Sequence, residues 1–533
     1  MKRRQFIKNT AAGLTGLAIA PSLLKSSPKY KSMDNFVLLG NSDDSIMIII
    51  ELFGGNDGLN TIIPYEQEDE YRRLRTNLYI PKEYSTRYGT SDLYLNSALS
   101  ENIYNDGFLR LLDDGRLAII QGVGYDSPNQ SHFRSRDIWH SGINSSNPNE
   151  KLLEGWLGRY IASKLTDYPD GIPEHPLAVA IGSSIPLMFK SKVGHMGIAL
   201  NSPEQFAETG KNLTPVINRF ATPENNYYEK EFNFIHVIAE QSEKYSKAVH
   251  EAYQAGKNKI KVNYSTGFSQ SFKLISSLIA GGLKTQIYYL NLSNFDSHAQ
   301  QMQADYRGAH ATLLSRLSTA VSEFLDDAVK QGFHKRVAGM TISEFGRRAY
   351  DNGSRGTDHG AASMMFVFGG SDENIEGGYY RVEGKPDLYD LDQYGNIRHD
   401  YDFRRIYADF LETWLGADKE DTLNVFGEQF LPLGILKSRS TSVGKIDNLI
   451  SNAEVFPNPS QGQSTFKLVV NKSDFFNIEV YSLEGRKLSV LYNGFLERGF
   501  HEFNILIDNT GTYIISVNSR DFSKIIPMTV IKH

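Results

Sequence analysis

The chain has 533 residues, 40% of them hydrophobic and 22% charged, and a formal net charge of −6 at pH 7. That length allows two or more domains with a sizeable core, and the weak negative balance gives nucleic acid no electrostatic footing. Cysteine is absent, which excludes disulfides, thiolate metal sites, iron–sulfur clusters and a cysteine nucleophile, so any metal must be held by oxygen and imidazole nitrogen.

Residues 1–33 read as a targeting segment. In MKRRQFIKNTAAGLTGLAIAPSLL a basic start precedes an Ala-rich, Gly-containing run. That run is too short and too weakly apolar to span a membrane.

Residues 34–436 read as one large α/β domain. SIMIIIELF (45–53), LAIIQGV (117–123), LAVAIG (177–182), IYYLNL (287–292), VAGMTI (337–342) and MMFVFGG (364–370) are short apolar runs. Several are continuous rather than alternating, as strands buried on both faces are. The segments 233–256, 271–282 and 310–332 carry apolar residues at helical spacing. The expected fold class is α/β, a mostly parallel sheet with helices on both faces.

Polar groups fall beside these strand ends. Gly54-Gly55-Asn56-Asp57 follows the first strand and places Asp57 at its carboxyl end, where α/β proteins hold ligands. A plain turn, with Asn56 and Asp57 accepting local backbone bonds, accounts for the same residues. After the second strand, PNQSHFRSRDIWHSG (128–142) offers Ser131 as a helix N-cap. That position also favours an anion or a nucleophile, and Arg134 lies one turn on. His132 and His140 are given no role beyond packing or surface. Asp296 and His298 are two apart in an extended segment and point to one side. Glu344 and Arg347 follow VAGMTI, and Asp358 and His359 precede the next apolar run. Together Asp57, Asp296, His298, Glu344, Asp358 and His359 form a candidate set for a divalent metal (Zn, Mn, Mg or Ca).

The segment 437–452, KSRSTSVGKIDNLISN, is polar and reads as a linker. Beyond it TFKLVV, FFNIEVYS, HEFNILI, GTYIISV and KIIPMTVI are separated by turn residues, which predicts an antiparallel β-sandwich over 453–533.

Three resemblances follow from these motifs. Arg3-Arg4-Gln5-Phe6-Ile7-Lys8 looks like the twin-arginine motif of bacterial export signals. Phe456-Pro457-Asn458-Pro459, IEVYSLEGRKL and Gly511-Thr512-Tyr513 resemble the C-terminal sorting domain of the type IX secretion system of Bacteroidetes. LFGGNDGLNTIIPY, SHFRSRDIWHSG, GWLGRY, NFDSHAQQ and SEFGRRAYDNGSRGTDHG resemble an uncharacterised exported bacterial family, domain of unknown function 1501, grouped by fold with alkaline phosphatases and sulfatases.

These resemblances imply a route and a chemistry. The partners would be the twin-arginine translocase, the type IX secretion machinery and a small or glycan-linked ester, with the protein carried through the periplasm to the cell surface or released. The chemistry would be metal-dependent hydrolysis of phosphate or sulfate esters. Asp57 would match the first metal aspartate, Ser131 the nucleophile, Asp296 and His298 one metal pair, and His359 the last metal histidine. Glu344-Phe345 would then stand where the superfamily has Asp-His, and phenylalanine cannot ligate. A second alignment puts Asp358-His359 at that step. Arg134 or Arg347 would stabilise the transferred group. The alternative is a non-catalytic surface protein that keeps the fold and a structural ion. Replacing Arg3 and Arg4 together with lysine is expected to leave precursor inside the cell by fractionation; normal surface amounts would contradict the twin-arginine reading.

Overall fold

The computed structural model describes residues 45–437 and 449–532, apart from 101–105, 148, 166–167, 169–170, 220–226, 305, 472 and 520–521, and apart from the side chains of 212–241, 451–452 and 522–523. The targeting segment expected over 1–33, with Arg3 and Arg4, lies outside the described residues. No described helix is long and apolar enough to cross a membrane.

Among the described residues nine strands form the central sheet: β1 Ile46–Leu52, β2 Leu117–Gly124, β3 Ala178–Ile181, β4 Ile198–Leu200, β5 Ile287–Leu292, β6 Val337–Ile342, β7 Ser363–Gly369, β8 Gly378–Tyr380 and β9 Tyr401–Asp402. Their order is β8-β2-β7-β6-β1-β5-β3-β4, with β9 also pairing β2. β1 lies parallel between β5 and β6, in register Ile48 with Tyr288 and with Gly339. β7 alone runs antiparallel, to β6 and to β2. The sheet is therefore mostly parallel, as its continuous apolar runs predict.

Both faces are covered. Ile46, Ile48 and Ile50 point into one core with Phe272, Leu317 and Phe324 of the helices Ser269–Ala280 and Ala309–Gln331. Met47 and Ile49 point into the other, with Trp139, Trp156, Phe403 and Tyr407. Alternate side chains of one strand thus fill two cores, which explains why β1 carries no polar residue before Glu51.

The reversal of β7 sets the functional edge. An antiparallel strand begins where its parallel neighbours end. His359, just before β7, therefore lies at the same edge as the loops that follow β1, β5 and β6.

The C-terminal unit is an antiparallel sandwich of a three-stranded and a four-stranded sheet around Phe466, Leu468, Ile478, Val480, Ile515, Val517 and Met528. Its strands include Ile450–Phe456 and Lys487–Leu496 beside the five expected ones. It touches the α/β unit through one turn and the strands that flank it: Arg405 Nη1 donates to Leu483 O at 2.7 Å and Leu431 N to Gly485 O at 3.1 Å. Lys419 Nζ lies 3.3 Å from Glu479 Oε2. Each unit has its own apolar core and the shared contacts are polar, so we propose that they fold separately. Truncation after Lys437 is expected to leave a folded, soluble α/β unit that no longer reaches the surface. Loss of its cooperative melt would show that the two units share a core.

Candidate metal centre

Four segments meet at the carboxyl edge of the sheet. The loop after β1 turns at Gly54 and Gly55, with φ of +122° and +86°. A Cβ on Gly54 would lie 2.2 Å from Asp296 N, so only glycine lets this loop run against the one after β5. That second loop carries Asp296 and His298. A Cβ on Gly356 would lie 2.3 Å from the carbonyl carbon of His298, so the loop after β6 closes on His298 just before it delivers Asp358 and His359. The fourth segment is the start of helix α1, His132–Ser141.

Among the described residues, His132, Asp296 and His359 each offer a ligand atom, and these atoms all lie within 4.8 Å of one another. His132 Nε2 is 3.5 Å from Asp296 Oδ2. His359 Nε2 is 3.4 Å from Asp296 Oδ1, and His298 Nε2 is 3.1 Å from the same oxygen. The Nε2 atoms of His298 and His359 are 2.9 Å apart.

The opposite ring nitrogens are all committed. His132 Nδ1 is 2.7 Å from Glu344 Oε1, His298 Nδ1 is 3.3 Å from Asp358 Oδ1, and His359 Nδ1 is 2.8 Å from Gln130 O. Where the proton sits on Nδ1, facing its oxygen acceptor, Nε2 is left with a lone pair. Three imidazoles turn their Nε2 atoms toward one carboxylate. In metalloproteins, such outer acceptors fix ring orientation and raise donor strength.

The carboxylates divide their work. Arg347 Nη2 donates to Asp296 Oδ1 at 2.6 Å. Burial works to raise the Asp296 carboxyl, but Arg347 outweighs it and holds the group below its usual range. Asn352 Nδ2 donates to Asp358 at 3.1 Å and lowers that carboxyl, with burial opposing. Glu344 Oε1 accepts from Gly54 N at 2.8 Å as well as from His132. Its other oxygen is buried with no hydrogen-bond partner among the described residues. The hydrogen bond that His132 donates to Glu344 raises the His132 pKa, whereas burial lowers that of His359.

Phe345 fills the floor. Its ring centroid lies 4.9 Å from that of His132 and 4.6 Å from that of His359. The residue that cannot ligate packs beneath two that can, and its backbone strand end delivers Glu344.

Of the remaining expected residues, Arg347 touches the group through Asp296 and Ser131 directly precedes His132. Asp57 is buried, and Arg75 donates to its two oxygens at 2.6 and 2.8 Å. Gln301 Nε2 also donates to it. Ser131 is exposed at the N-cap of α1 and makes no side-chain capping bond. Arg134 donates through Nε, Nη1 and Nη2 to the carbonyls of Ser145, Glu150 and Asn147. Arg347 is buried, and its guanidinium also serves the carbonyls of Gly54, Gly55, Phe295 and Thr357.

His132 is the candidate ligand that sequence reasoning passed over. The available signal was its place in the first turn of a helix that directly follows a sheet strand.

Two family models match the chain. Residues 192–422 match "Protein of unknown function (DUF1501)" and residues 454–532 match "Secretion system C-terminal sorting domain". The first match begins after His132, Ser131, Arg134 and Asp57, and is narrower than the motif resemblance implied. No curated protein matches. Among solved structures, a protein in the alkaline phosphatase superfamily from Vibrio parahaemolyticus is 9% identical, with 100% of this chain and 92% of that one covered and a TM-score of 0.29. PsFucS1 sulfatase from Pseudoalteromonas sp. is 9% identical, with 87% and 84% covered and a TM-score of 0.30. Dimeric latent PorU from Porphyromonas gingivalis is 19% identical over 15% of this chain, which spans 9% of its length, at a TM-score of 0.14.

The class is thus an exported protein, a mostly parallel α/β unit joined to a sorting sandwich that directs it to the cell surface. In particular, the chain carries a DUF1501 domain followed by a type IX sorting domain.

Proposed function

We propose that this protein is a cell-surface, metal-dependent hydrolase of phosphate or sulfate esters, with one divalent ion held by His132, Asp296 and His359 and with His298 in reach. One observation carries the metal: His132, Asp296 and His359 bring ligand atoms within 4.8 Å of one another while both histidines turn Nδ1 to an oxygen acceptor. With the ring protons on Nδ1, the Nε2 lone pairs on this face are free to bind a cation. A donor set rich in nitrogen and free of sulfur suits zinc.

A bound divalent ion would polarise an ester oxygen and lower the pKa of water or of the Ser131 hydroxyl. The chain's own groups do the rest. Arg347 fixes Asp296, Glu344 fixes His132, and Phe345 keeps water from beneath the rings. Asp296 and His298 are each 46% exposed, which leaves an open approach for substrate. Ser131, beside His132, is the candidate nucleophile.

A second reading, a non-catalytic protein with a structural ion, is favoured by Arg134 and Arg347, whose donors are taken up by carbonyls and by Asp296. Assays of metal-replete protein on aryl phosphate and aryl sulfate separate the two. Ser131→Ala is expected to retain the metal and lose turnover. Full metal content with no turnover of either ester would favour the second reading.

A further inference from the structure

Helix α1 presents His132, Arg136 and His140 at i, i+4 and i+8, one face turned to the sheet edge. Arg136 is held from behind by Glu51, the polar residue of β1. Its Nε and Nη2 donate to the two Glu51 oxygens at 2.8 and 2.7 Å, and Nη2 lies 3.2 Å from the Tyr289 hydroxyl. His140 Nε2 at 3.0 Å, Asn291 Nδ2 at 2.8 Å and the Tyr289 hydroxyl also serve Glu51. Burial pushes the Glu51 carboxyl up, but His140 and Arg136 outweigh it and the group stays ionised.

The other end of the guanidinium is different. Among the described residues Nη1 has no hydrogen-bond partner, and the side chain is 36% exposed. Its Cζ lies 5.1 Å over the ring of Phe53, whose centroid is 5.7 Å from that of His132. A cation is therefore clamped in one orientation, one helical turn from the candidate metal centre, with two N–H groups unused. Arginine geometry suits planar or tetrahedral oxyanions, and a guanidinium fixed in advance loses little entropy on binding one.

We propose that Arg136 binds an anionic oxygen of the substrate and that Glu51 is its positioning residue, which makes the substrate an oxyanion ester that spans the metal centre and Arg136. The placement rests on the ester reading above; the anion site itself does not. Nothing about it requires Arg134 or Arg347, whose donors are already engaged.

The test is titration of metal-replete protein with inorganic phosphate and, separately, inorganic sulfate by calorimetry, alongside metal content and melting temperature. Arg136→Gln is expected to keep its metal and weaken binding of the preferred anion by at least about tenfold, the loss of a charge-assisted hydrogen bond. Arg136→Lys keeps the charge without the fork and is expected to fall between the two. It also serves if the glutamine variant melts early, because it leaves Glu51 a cation. Unchanged affinity in a folded Arg136 variant would overturn the proposal, and so would wild-type protein that carries metal yet binds neither anion. Anion binding that depends on Arg136 in protein without metal would support the anion site and sink the hydrolase reading instead.

Discussion

His132→Ala is expected to lose the bound metal and to lower ester turnover by at least about a hundredfold. The substitution removes one Nε2 donor from a group whose ligand atoms lie within 4.8 Å of one another. It also frees Glu344, whose Oε1 then keeps Gly54 N and whose Oε2 is without a partner among the described residues. A metal that binds only the folded protein stabilises it by mass action, about 4 kcal/mol at a thousandfold excess over Kd. A chelator should therefore lower the melting temperature of the wild-type protein and leave that of His132→Ala unmoved. Glu344→Gln keeps the ring in place but weakens its acceptor, and an outer partner of this kind typically changes metal affinity by about 10- to 100-fold. The expected order of metal affinity is wild type, Glu344→Gln, His132→Ala. Full metal content in His132→Ala would remove this residue from the ligand set.

Arg75→Ala is expected to destabilise the fold by about 3–5 kcal/mol, because it strands a buried carboxylate. The Arg75 side chain is 0% exposed and that of Asp57 1%. Arg75 also donates to Ala349 O at 2.7 Å and to Arg348 O at 3.0 Å, tying the turn after β1 to the loop that follows Arg347. Burial works to raise the Asp57 carboxyl, but Arg75 outweighs it and holds the pKa at about 2. A carboxyl depressed in the fold binds its proton more weakly there than in the unfolded chain. Its contribution is therefore present above about pH 4 and is lost as pH falls toward 2. Urea unfolding at neutral pH and across that acid window measures both effects. A loss below about 1 kcal/mol in Arg75→Ala, or a flat acid limb for the wild type, would contradict the account.

The sheet was legible because burial on both faces leaves a plain signature. Ile46 to Ile50 fill two cores from one strand, and only an apolar run does that. The sandwich was legible where strands alternate, as in Gln463–Val470. Lys487–Leu496 escaped because it keeps Leu488, Val490 and Phe495 in solvent, so its pattern points to no core. The site was half legible. Strand-end position singled out Asp296, His298, Glu344, Asp358 and His359, and the fold brings all five to one edge. It does not separate a residue that faces the centre from one that braces it. Asp358 and Glu344 each meet a histidine Nδ1, a distinction of side-chain direction that spacing cannot carry. Asp57 has the same strand-end address, yet its partner Arg75 comes from a segment with no strand pattern. His132 was obscured by a neighbouring serine that accounts for the helix start without it.

The most direct measurement is the metal content of wild-type protein folded in the cell under metal-replete conditions, purified without chelator and read by elemental mass spectrometry. The account predicts about one divalent ion per chain, retained through dialysis and absent from His132→Ala and His359→Ala prepared in parallel. Wild-type protein that is folded and carries no divalent metal would contradict it.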